Sequence, residues 1–201
     1  MNRLNKSKKP GMFDIIAPVY DLFYNHQKKK FRVYLDQISD EWGLNFYPKI
    51  VDIGCGTGAL ASVLNELGHD VTAVDASPRM LLMGEKRPEN SNIHFLLADA
   101  KEQLPFADHS FDIAVTSFVA HGLQPQDRKA LYREMKRLAK SLIIIYDYNQ
   151  RRSLIINIAE WMEQGDYFNF IKVAETEMGE IFTEVKTITA GNHSTWYICK
   201  P

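Results

Sequence analysis

The amino-acid sequence predicts an α/β domain: a doubly wound, mostly parallel sheet of seven strands that ends in an antiparallel hairpin. Three observations carry that prediction. Five short apolar segments alternate with segments of helical periodicity, the pattern of strands joined by helical crossovers. The first of those strands runs straight into glycines at 54, 56 and 58, where a strand-to-helix turn belongs. The C-terminal part breaks the rhythm with two β-prone runs around Gly191-Asn192, a hairpin signal.

Taken in order, Phe31, Tyr34, Leu35, Ile38 and Trp42 fall on one helical face and predict a helix before the first strand. "KIVDIG" (49–54) reads as a buried strand. Leu60, Val63, Leu64 and Leu67 keep helical spacing, with Gly68 as the stop. "DVTAVD" (70–75) is the second strand. Ser77 as N-cap and Pro78 at the first helical position open the next helix. "IHFLLAD" (93–99) and "FDIAVTS" (111–117) are strands separated by the loop "KEQLPFADHS". Leu131, Met135 and Leu138 mark a helix over 125–139, and "LIIIYDY" (142–148) is continuous enough in apolar residues to be an inner strand. Helical stretches over 152–164 and 170–180 precede the hairpin runs "FTEVKTITA" and "HSTWYICK".

A chain of 201 residues can bury one substantial core. Residues 12–201 are expected to form a single domain and the basic start, 1–11, a flexible solvated tail. A net charge of −1 gives no electrostatic footprint for nucleic acid. Two cysteines make no disulfide framework and no metal cluster, which suits a reducing cytoplasm. The longest aliphatic run, 142–145, is too short to span a membrane.

The glycine loop poses the functional question, because interior glycines cost roughly 0.5–1 kcal/mol each in backbone entropy. Gly54, Gly56 and Ala59 satisfy the dinucleotide pattern G-x-G-x-x-G/A, and Asp75 follows at the distance of a ribose-binding acid. An NAD-binding oxidoreductase is therefore one reading. Asp52 argues against it: a carboxylate two residues before the first glycine would repel a pyrophosphate but suits a ligand carrying an ammonium group. Asp99, closing the third strand, can accept from an exocyclic amine such as that of adenine.

"VDIGCGTGAL", "VDASPRML", "FLLADAKEQLPFADHSFDIAVTSFVAH" and the tail hairpin together resemble the class I S-adenosylmethionine-dependent methyltransferases, nearest to the small-molecule branch that includes quinone-biosynthesis enzymes. "FDIIAPVYDLFY" is similar to that branch's N-terminal helix, so the resemblance runs from about residue 12 to the end. One departure is "LAKSL" where the family often has a Pro-Gly-Gly turn before strand five.

The resemblance implies a Rossmann-like fold, S-adenosyl-L-methionine as cofactor and a small-molecule acceptor. It implies further that Gly54, Cys55, Gly56 and Gly58 border the methionine portion and that Asp52 holds its amino group. Asp75 would take the ribose hydroxyls, with Ala76 beside it and Met80 against the adenine face. Asp99 and the Ala100 backbone would bind the adenine amine, and Ser117 would line the sulfonium side. His121 is the candidate general base or substrate-orienting group, from its place just past the fourth strand and its near-neutral titration. Tyr20 and Asp147 are the candidate acceptor contacts, within an aromatic set that also holds Phe13, Phe23, Tyr24, Tyr146, Tyr148, Trp161, Tyr167 and Phe168. The chain is expected to work as a monomer or homodimer. Besides the oxidoreductase, a methyltransferase-like protein that binds without turnover stays open.

Overall fold

A computed structural model describes residues 12–151 and 166–201; within the first helix the side chains are described from residue 22 onward. The expected tail 1–11, the expected helix over 152–164, Trp161 and the side chains of Phe13 and Tyr20 lie outside the described residues.

Seven strands form one sheet: β1 (Lys49–Ile53), β2 (Asp70–Asp75), β3 (His94–Leu97), β4 (Phe111–Ser117), β5 (Ala139–Tyr148), β6 (Glu184–Ala190) and β7 (Ser194–Lys200). Their spatial order is β3-β2-β1-β4-β5-β7-β6. β1 to β5 pair in parallel, while β7 runs antiparallel to both β5 and β6. Gly191 takes the hairpin turn with φ 76°, a left-handed conformation that favours glycine.

Among the described residues five helices cover the sheet: α1 (Met12–Trp42), α2 (Ala59–Glu66), α3 (Pro78–Glu85), α4 (Pro125–Leu138) and α5 (Tyr167–Gly179). Inner strands bury alternate residues on both faces, as a parallel sheet must. Ile50, Ile113, Val115, Ile144, Tyr146 and Trp196 pack with α1, α2 and Leu81 of α3. Val51, Ile53, Ala114, Ile143, Ile145 and Tyr197 pack with α4 and α5 on the other face.

Some boundaries past α1 differ from the sequence expectation. α1 itself takes in both the stripe from Phe31 and "FDIIAPVYDLFY", the stretch that resembles an N-terminal helix. Tyr24 is fully buried and donates to Asn90 Oδ1 (3.3 Å), while Lys28 and Arg32 pair with Glu66 of α2. β3 stops at Leu97 because it is an edge strand whose outer neighbours are solvent, and the chain turns away at Asp99. β5 begins at Ala139, directly behind α4, because the Ala139 register closes on Phe111 across an irregularity in β4. The helix predicted over 170–180 starts three residues earlier, at Tyr167.

The order reverses between β1 and β4, so the carboxyl ends of β1, β2, β4 and β5 surround a crevice at the switch point. Ligands bind there in open α/β sheets.

Candidate functional site

The crevice has a side of glycines and acids at β1 and β2 and an aromatic side at β4 and β5. On the first, the amides of Gly54 and Cys55 both donate to the Val74 carbonyl (2.7 and 3.0 Å), and Gly58 N donates back to Cys55 O. This tight turn sets Gly54, Gly56 and Gly58 at φ 74°, 56° and 80°. The glycines differ in what they face. A Cβ on Gly54 would stand 2.4 Å from Val119 Cγ2, and one on Gly58 would press on the Phe95 ring at 3.1 Å. At Gly56 it would meet nothing within 4 Å. The protein's own packing accounts for the first two; only Gly56 presents bare backbone to open space.

Asp52, in the middle of β1 between Ala73 and Val115, is completely buried. Neither carboxylate oxygen has a hydrogen-bond partner. Burial, and then the neighbouring Asp75 charge, push its pKa up to about 7, offset in part by the Ala61 amide of α2, which faces it without closing a full hydrogen bond. An orphaned buried carboxylate is costly unless something cationic completes it. Asp75, at the end of β2, is oriented by two amides: Oδ2 accepts from Gly56 N and Oδ1 from Ser77 N, each at 2.8 Å. A carboxylate accepts from hydroxyl donors such as those of a diol.

Asp99 follows β3, where the Ala98 amide donates to Asp75 O (3.1 Å), so the two acids end adjacent strands. It is half-buried, and its Oδ1 caps the Lys101 amide at 3.0 Å. Ala100 beside it is half-buried and Ala76 exposed. Met80 is 2% exposed and its amide is capped by Ser77 Oγ. Cys55 is buried, its thiol pushed well above the ordinary value by burial and then by Asp75 and Asp52. It fills the turn and stays protonated.

The β4–β5 side is aromatic. Ser117 ends β4 opposite Tyr146, and Phe118 then takes φ 53°, a conformation non-glycine residues rarely adopt and that clusters at functional sites. That kink sets its ring 4.9 Å from Tyr146 and 5.1 Å from Tyr148. The short helical turn Ala120–Gly122 follows and carries His121, 5% exposed, with Tyr148 at 4.8 Å ring to ring and Tyr167 and Phe170 behind.

Asp147 has a different place from the one expected. It is fully buried and turned to His121: Oδ1 lies 2.7 Å from His121 Nδ1 and accepts from Tyr148 N, while Oδ2 accepts from His121 N. It orients the imidazole and does not line the crevice. Because the carboxylate accepts, Nδ1 carries the proton of this pair and the neutral ring keeps its lone pair on Nε2. Two contributors escaped sequence reasoning: Phe118, whose backbone angle leaves no trace in composition, and Val119, which explains Gly54. Their only sequence signal is adjacency to Ser117.

Open backbone at Gly56, an unpartnered buried carboxylate at Asp52 and an oriented one at Asp75 fit a ligand with an ammonium group and a diol. These are the donors of an adenosyl amino acid.

Comparison with known proteins agrees. Residues 50–141 match the model of the methyltransferase domain. The demethylmenaquinone methyltransferase of Paenarthrobacter aurescens is 36% identical over 149 residues, covering 70% of this chain and 55% of that protein. The chain spans 55% to 59% of the length of the curated relatives it matches. A crystal structure from Methanococcus maripaludis, assigned to the S-adenosyl-L-methionine-dependent methyltransferases, superposes with a TM-score of 0.72 at 20% identity, covering 98% of this chain and 97% of that one. Phosphoethanolamine N-methyltransferase 2 of Haemonchus contortus, in complex with S-adenosyl-L-methionine, superposes at 0.61 with 18% identity, covering 76% and 48%. At these identities the two structures speak to the fold.

Proposed function

We propose that this chain is a class I S-adenosylmethionine-dependent methyltransferase that transfers a methyl group from S-adenosylmethionine to a small planar acceptor, a reading that its methyltransferase-domain match and its relatives support. The observation that carries this reading is Asp52, whose two buried oxygens lack partners beside the open backbone of Gly56.

Asp52 would hold the amino group of the cofactor, Asp75 its ribose hydroxyls, and Asp99 with the Ala100 backbone its adenine amine. Bound S-adenosylmethionine supplies an already activated methyl group. The chain's part is then alignment and exclusion of water. Phe118 and Tyr148, with Tyr167 buried behind them, offer rings against which a flat acceptor can lie, and His121 Nε2 would take the acceptor proton while Asp147 steadies the imidazolium. Near-neutral charge favours a small molecule over nucleic acid. The relatives' name, demethylmenaquinone methyltransferase, supports a quinone-type ring as the acceptor class. Among the described residues no helix is long and apolar enough to cross a membrane. Free, buried cysteines are compatible with a reducing cytoplasm, where we place the chain as a monomer or homodimer.

The test is incubation with methyl-labelled S-adenosylmethionine and a panel of hydroxylated naphthalenes and benzenes, with label followed by mass spectrometry. Label in one acceptor supports the reading. Cofactor binding with no transfer to any member favours the binding protein without turnover, and binding of NAD instead favours the oxidoreductase.

A further inference from the structure

Arg128, in the first turn of α4, is fully buried and lies outside the crevice. All five of its guanidinium N–H groups have partners. Nε and Nη2 donate to the two oxygens of Glu177 (2.5 and 3.0 Å), and Nη1 and Nη2 both donate to Asp166 Oδ2 (3.1 Å). The remaining Nη1 proton goes to Leu123 O at 2.8 Å, with Ala120 O at 3.5 Å. These two carbonyls flank His121. The turn they belong to is a single helical turn closed by two backbone bonds, Gly122 N to Val119 O and Leu123 N to Ala120 O. Such a short element holds little rigidity of its own.

Both carboxylates belong to α5 or its N-cap, and α5 supplies the Tyr167 and Phe170 rings behind His121. One planar fork therefore fastens the His121 turn and the aromatic wall to the same point. Burying a guanidinium with two acids is weak evidence for stability, since apolar replacements often serve as well. What an apolar replacement cannot supply is the pair of bonds to the turn.

We propose that Arg128 is a positioning residue: through its fork to Leu123, Ala120, Asp166 and Glu177 it holds the His121 turn so that Nδ1 meets Asp147 in one orientation. The catalytic consequence rests on the reading of His121 as proton acceptor; the positioning itself does not. Lysine, a point charge with three donors, cannot reproduce the fork.

The test uses the whole protein labelled with 15N in histidine, and S-adenosylhomocysteine as the binding probe. Wild-type protein should show a downfield, slowly exchanging Nδ1–H resonance that disappears in His121→Gln and in Asp147→Asn. Arg128→Lys keeps the buried charge, and the double variant Arg128→Met, Glu177→Met replaces the pair by apolar side chains. In both, the resonance should be lost and the ring nitrogens should report mixed tautomers, while affinity for S-adenosylhomocysteine stays at the wild-type value. Should the double variant fail to fold, Arg128→Lys decides alone. An unchanged resonance in a folded Arg128 variant overturns the proposal. So does its absence from wild-type protein, or its loss together with probe affinity, which is general loosening. If wild-type protein binds no S-adenosylhomocysteine, the cofactor reading fails and the imidazole resonance still judges Arg128.

Discussion

The two sides of the crevice are built by different means. The cofactor side is made of backbone and short acids close together in sequence: Asp52, Gly54, Gly56 and Gly58 lie within seven residues, and Asp75 reaches back to one of them. The β4–β5 side rests on pairs far apart, His121 meeting Asp147 across 26 residues and, bracing it from outside the crevice, Arg128 meeting Glu177 across 49. The first is rigid where the chain needs no side chain. The second depends on packing to aim one imidazole and a set of rings. The two halves should therefore fail differently, one in binding and the other in turnover.

The largest separation is expected from His121→Gln. Turnover on a responsive acceptor should fall by about 10²–10⁴-fold, with cofactor affinity by calorimetry unchanged. A matching loss of affinity would mean that the two sides are one unit.

Asp75→Ala attacks the other half. It removes a charged acceptor for the diol and frees the Gly56 amide. Affinity for S-adenosylmethionine should drop by roughly 100-fold, from about 1.5–3 kcal/mol per charged hydrogen bond. Retained affinity would show that Asp75 is only a brace for the turn.

Gly54→Ala and Gly56→Ala sharpen the contrast within the loop. The Gly54 variant drives a methyl group into Val119 at a positive φ and should lower the thermal midpoint by several degrees, for a cost of about 1–3 kcal/mol. Gly56→Ala meets no neighbour and carries only the cost of its left-handed backbone, about 1 kcal/mol. Its loss should appear mainly in cofactor affinity.

Asp52 ties binding to pH. Its folded pKa, about 7, lies above the ordinary 3.8. The protonated form therefore stabilises the unliganded protein at acid pH, and that contribution is lost as pH rises through 7. Denaturation of the unliganded protein should show stability falling by about 1–4 kcal/mol between pH 4 and 8 from this group. Asp52→Asn should remove that slope. Asp99→Ala should have the smallest effect, about 1 kcal/mol of affinity, because the acid is half exposed and already caps Lys101 N.

These contrasts explain how far the sequence could be read. The strands and the glycine turn were legible because their signals are local: apolar segments alternating with helical ones, a glycine triplet, and acids in β1, at the end of β2 and just past β3. His121 and Asp147 were each visible, but their partnership was not, since nothing local links the ends of β4 and β5. Phe118 was missed because a positive φ in an aromatic residue is imposed by the Tyr146 carbonyl and the rings around it, not by propensity. The early part of α1 was legible through the resemblance of "FDIIAPVYDLFY" alone, but its ties to Asn90 and Glu66 were not, since they join residues 34 to 66 apart.

The most direct test of the central claim, that a bound ammonium completes Asp52, is calorimetry of S-adenosylhomocysteine binding at pH 6.5 in buffers of different ionisation enthalpy, for wild-type protein and Asp52→Asn. The account predicts that wild-type binding releases a proton from Asp52 and that the variant binds more weakly with none released. Binding to wild-type protein without proton release, or equally tight binding by the variant, would contradict it.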